Sequence, residues 1–226
     1  MILVILQISM SMFPKINELP LTYTLCLTIL LTSVAGFYFK KVRQVLLLHP
    51  FEVFAKKKYY TLFTSAFIHR GWVHLLVNIY IFYGAARDVE YIILEERFPY
   101  KMIVLIYALL LLVSIILPNL IISAVKKTEL AYTTLGFSGA VFGFLGFSLL
   151  YLPLDHPEKP YKVLPFLYYS YEFAWVLLLI LILMPIVFKK SKTNHWVHIL
   201  GFMIGLLVAM VIRPELVKEL WRHFYN

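Results

Sequence analysis

Ser138 is a hydroxyl in a stretch that lipid would otherwise accept whole: it stands between Gly136 and Gly139 in the apolar run LGFSGAVFGFLGF, Leu135 to Phe147. A serine becomes a nucleophile only beside a base that takes its proton, and imidazole is the commonest such base. The run HILGFMIG supplies one in His198, on the same helical face as Gly201 and Gly205, while Gly139 and Gly143 lie beside Ser138. Glycine faces let two helices approach closely. The spacing therefore predicts a Ser138 hydroxyl within hydrogen-bond reach of the His198 ring. A third run, HRGWVHLLVN, carries His74 and Asn78 four residues apart, hence on one face. Both can donate hydrogen bonds to a developing oxyanion, together with the Ser138 backbone amide near a helix start.

Each feature also has a plainer reading. Serines in membrane helices bond back to a carbonyl one turn earlier, glycines four apart pack helices, and His74 with Asn78 can tie helices together. The combination favours chemistry, because buried polar groups are costly unless paired or used. The two aspartates, Asp88 and Asp155, and the loop acids Glu52 and Glu129 all fall outside the upper turns of these helices. A Ser-His dyad is then expected rather than a triad, with the imidazole oriented by packing against Phe142, one turn after Ser138. His195 and His198 are three apart and His69 and His74 five apart, without a Cys, Asp or Glu at that depth. Zinc sites prefer tighter, mixed ligation, so no metal is expected.

The elements that must hold these groups are membrane helices. The 226 residues are 62% hydrophobic and 15% charged, and the mean hydropathy is +0.82, beyond the needs of a soluble core. An all-α, polytopic fold follows, with spans at Leu19–Phe39, Leu62–Ala86, Met102–Val125, Leu130–Pro153, Phe166–Phe188 and Trp196–Ile212. Residues 1–18 form a short N-terminal segment, 19–212 a single six-helix membrane domain, and 213–226 a tail. The opening MILVILQISMSMF has no basic start or small-residue cleavage site and is too short to span. The net charge of +9 comes from lysines at span ends, which reads as interfacial anchoring and not as nucleic-acid binding. The lone Cys26 excludes an internal disulfide. Because helices alternate direction, the second, fourth and sixth spans begin at one leaflet. His69 and His74 open the second and His195 and His198 the sixth, with Ser138 about 8–12 Å below the end of the fourth.

HRGWVHLLVN with Glu90 twelve residues after Asn78, then GFSGAVFG, then HILGFMIG, on the second, fourth and sixth of six spans, resemble the motifs of the rhomboid intramembrane serine proteases. The resemblance covers about Tyr60 to Ile212. It implies a rhomboid-like bundle in which Ser138 is the nucleophile, His198 its base, and His74 and Asn78 the oxyanion pair. His69 would be the outer histidine, structural or water-retaining, and Gly136 and Gly139 the glycines bracketing the serine. The implied substrates are transmembrane segments of other proteins in the lipid bilayer, cleaved near helix-destabilising residues without metal, nucleotide or other cofactor. Tyr60 and Thr61 stand where the family often has Trp-Arg, and Phe142 where it often has tyrosine. The resemblance also implies a cell-membrane protein with the N-terminus inside and the active site outward. Of the 21 Lys and Arg, 12 lie on the active-site side, a small margin toward the opposite orientation. The alternative is a catalytically inactive rhomboid-like protein that binds or escorts membrane clients, although such proteins generally lack the serine or the histidine.

Overall fold

The structure, a computed structural model, describes residues 14–93, 98–151, 170–188 and 194–225. Pro20 opens helix α1 (Pro20–Tyr38), where its fixed φ suits the first turn and its missing N–H would lack an acceptor anyway. The amides of Leu21 and Thr22 donate to the Glu90 carboxylate at 2.9 and 2.8 Å, and the Thr22 hydroxyl donates to it at 2.6 Å. A buried carboxylate from another part of the chain thus caps α1, its charge set against the positive end of the helix dipole.

Three short helices, α2 (Lys40–Leu46), α3 (Pro50–Ala55) and α4 (Thr61–Thr64), connect α1 to the next span. They hold a small apolar cluster of Leu48, Val53 and Leu62. The Leu48 carbonyl accepts from the Thr134 amide at 3.0 Å, and the Leu62 carbonyl accepts from the Asn119 side chain at 2.8 Å. Thr61, at one of the departing family positions, is buried and donates to the Lys58 carbonyl. Outside the membrane helices, hydrogen bonds from Lys56 and Lys58 pull the Glu52 carboxyl down to about 2.

The bundle continues through α5 (Trp72–Arg87), a π-helical turn (Asp88–Ile93), α6 (Tyr100–Val125), α7 (Ser138–Tyr151), α8 (Ser170–Val187) and α9 (His195–Ile212). Helices α1, α6, α8 and α9 are long and apolar enough to cross a membrane. Among the described residues, α5 has 16 residues and runs on into the π-helical turn, and α7 has 14, about 24 and 21 Å of rise.

Two expected spans are therefore corrected. The second, Leu62–Ala86, is broken: α4 passes into a 3₁₀ turn (Ser65–Phe67), Ile68 is extended, and α5 begins only at Trp72 after the extended Gly71. His69 lies in that break and does not open the helix. The fourth, Leu130–Pro153, begins as a helix only at Ser138, so Ser138 is its first residue and not two turns down it. Ser65–His69 of the first stretch and Thr134 and Phe137 of the second are buried in protein, the condition under which non-helical backbone is tolerated at membrane depth. The first, third and sixth spans agree with α1, α6 and α9 within two residues. Phe166–Tyr169 of the fifth, and the opening apolar segment through Phe13, lie outside the described residues.

Helix α7 is central, packed on α5, α6, α8 and α9. Its closest partner is α9: a Cβ on Gly201 would run into the Gly139 carbonyl, and one on Gly205 into the Gly143 carbonyl. The tail expected from 213 onward contains helix α10 (Glu215–Tyr225), which turns Leu216 and Leu220 into the core. Buried Arg213 donates to the carbonyl of Tyr151, the last residue of α7, at 3.1 Å and pairs with Glu219 at 2.7 Å.

Candidate active site

Gly136, two residues before α7, has φ +116°, a conformation L side chains rarely adopt. A Cβ there would also lie 2.8 Å from Cε1 of His74. The turn into Ser138 and the seat of the His74 ring thus depend on the same missing side chain. The Gly136 amide donates to the Ser65 carbonyl at 3.0 Å, and the Phe137 amide donates to Nε2 of His69 at 3.3 Å.

That last bond sets the His69 tautomer. An accepting Nε2 leaves the proton on Nδ1, which donates to the Ser33 hydroxyl at 2.8 Å, and that hydroxyl donates to the Phe67 carbonyl at 2.9 Å. His69 is 1% exposed and braces the loop that presents Ser138 to α1; it does not line the cavity described next.

A cavity of about 440 Å³ opens beside Ser138. Val73, His74 and Val77 of α5 form one wall, Leu135, Gly136 and Ser138 a second, and Asn194, Val197 and His198 a third. The His198 ring stacks on Phe142 with centroids 4.6 Å apart and planes inclined by 30°, and the His195 ring stands edge-on to it at 6.1 Å. No hydrogen bond joins Ser138 to His198 in this resting arrangement. As the first residue of α7, Ser138 offers an amide with no acceptor inside its own helix, aimed along the positive end of the dipole.

Asn78 is buried and sits outside the cavity wall, its amide donating to the His74 carbonyl at 2.7 Å within α5. Glu90 is remote from the cavity, at the start of α1. Gly201 and Gly205 form the seam that holds α9, and with it His198, against α7. Among the described residues no group of three or more His, Cys, Asp or Glu is placed to hold a metal. Residue patterning missed several cavity residues: Arg70, Asn119 and Asn194, with Ser65 and Thr134. Asn119 was detectable as an amide in an otherwise apolar span, and Asn194 as the neighbour of His195.

An integral, multi-pass helical membrane protein with a serine and two histidines around one cavity is the class that this fold and site define. The Rhomboid domain model matches residues 56–215, a stretch containing every cavity residue, and the chain belongs to the rhomboid family. No curated protein matches it significantly.

Proposed function

We propose that this rhomboid-family protein is an intramembrane serine endopeptidase that cleaves transmembrane segments of other membrane proteins. The observation that carries the reading is that Ser138, His198 and His74, far apart in sequence, line the same cavity. Ser138 Oγ attacks the scissile carbonyl carbon while His198 accepts the hydroxyl proton, giving a tetrahedral oxyanion and an imidazolium. The Ser138 amide and the His74 ring N–H stabilise the oxyanion. Asn78, behind the cavity wall, donates to the His74 carbonyl and supports the oxyanion site through His74. Collapse breaks the C–N bond as His198 returns its proton to the leaving amine. Water then attacks the acyl-enzyme with His198 again as base, releasing the acid and restoring Ser138. Phe142 takes the orienting part that an aspartate plays in a triad.

The deciding experiment is labelling of the purified, folded chain with a serine-reactive fluorophosphonate, alongside cleavage of a tagged single-span substrate. The wild type should label and cleave, and Ser138→Ala should do neither while remaining folded. Equal cleavage by both would remove Ser138 from the mechanism. No label on either, with bound client recovered intact, would favour the non-catalytic client-binding reading.

A further inference from the structure

One charge on the cavity wall has no part in the scheme above. Among the described residues that line the cavity, Arg70 is the one with a permanent charge, and none is a carboxylate. It is exposed, and the ion pairs among the described residues leave it out. Neighbouring basic groups of the same side differ: Lys56 and Lys58 share Glu52, and Lys126 pairs with Glu129. Among the described residues, Lys56, Lys58 and Lys126 are matched by carboxylates of the chain, whereas the cation that lines the cavity is not.

Arg70 lies four residues before His74 and three before Val73, with Val77 one turn further on. Along this wall the cation is followed by the apolar side chains of Val73 and Val77. A guanidinium is charged at every working pH and accepts a carboxylate through two parallel N–H bonds.

The geometry points to Arg70 as a specificity-determining residue that receives an acidic side chain of the substrate, while the apolar residue next to it packs on Val73 and Val77. This rests on the protease reading. An extended chain advances about 3.3 Å per residue, so with the reach of an arginine the acid belongs about two to four residues from the scissile bond, toward the aqueous side. A lipid phosphate would also suit a guanidinium. The peptide is favoured because Arg70 faces the chamber that holds Ser138.

The test uses the full chain in proteoliposomes and a single-span substrate whose cleavage point has been mapped by mass spectrometry. Versions carry Asp, Asn or Lys at each position two to four residues from that point. Wild type should show kcat/KM for an Asp version about three- to tenfold above its Asn counterpart, with Lys lowest. Arg70→Gln should bring the ratios near one, Arg70→Glu should reverse the order, and Arg70→Lys should keep the preference for Asp. Equal rates with the wild type, or a preference that survives in Arg70→Gln, overturn the assignment. So does a uniform change in all versions that follows the phosphatidylglycerol content of the vesicles, which would give Arg70 to lipid. Loss of charge discrimination with intact Ser138 labelling defeats this assignment alone; cleavage that persists in Ser138→Ala defeats the protease reading with it.

Discussion

At the scale of single residues, the site is built from side chains that each have a second, structural partner. His74 lies against the backbone of Gly136, His198 stacks on Phe142, and His69 holds the Phe137 amide. In the proposed mechanism His74 alone of the two oxyanion side chains faces the cavity. His74→Ala should therefore lower kcat by about 10²- to 10³-fold, as loss of one oxyanion donor does elsewhere. Asn78→Ala should cost less, since its amide is already engaged within α5. Single-turnover cleavage in proteoliposomes separates the two, and equal losses would place Asn78 on the oxyanion as directly as His74.

At the scale of elements, the α7–α9 seam and the α1 cap position everything else. Gly205 faces the Gly143 backbone with no room for a methyl group, whereas a Cβ on Gly84 in α5 would meet nothing within 4 Å. The same substitution should then have opposite signs. Gly205→Ala should destabilise by about 1–3 kcal/mol through overpacking, and Gly84→Ala should stabilise by about 0.5–1 kcal/mol through helix propensity. Thermal unfolding in detergent compares them directly; a neutral Gly205→Ala would show that the seam yields. Glu90→Gln keeps the shape of the cap but turns an NH₂ group toward either the Leu21 amide or the two Thr22 donors. A loss of about 1–3 kcal/mol is expected. The same measurement checks it, with unchanged stability as the contrary result.

At the scale of the whole molecule, the bundle is asymmetric: the cavity opens at the ends where α5, α7 and α9 begin, and α10 follows the far end of α9. The proposed orientation puts the cavity outward and both termini inside. A C-terminal green fluorescent protein fusion should then be fluorescent in a bacterial host, and an alkaline phosphatase fusion at the same point inactive. The reverse pattern would turn the cavity to the cytoplasm, in line with the lysine-rich loops on its side.

What the sequence determined by itself is what composition and period can carry. Twenty apolar residues have to be a buried helix, so α1, α6 and α9 were legible almost to the residue. The order of the three motifs likewise identified Ser138, His198 and His74 as candidates for one site. Tertiary structure alone decided where helices break. Leu130–Phe137 and Leu62–Gly71 contain no proline and adjoin apolar helices, and they leave helical geometry because protein neighbours satisfy their backbone: Ser65 for Gly136, His69 for Phe137, Leu48 for Thr134. Those partners lie 68 to 86 positions away in the chain, beyond any local pattern. The same holds for Arg213 on the Tyr151 carbonyl and Glu90 on α1, whose value depends on meeting a distant helix end. Hydrophobicity is a property of a segment, whereas hydrogen-bond satisfaction is a property of what the fold brings beside it.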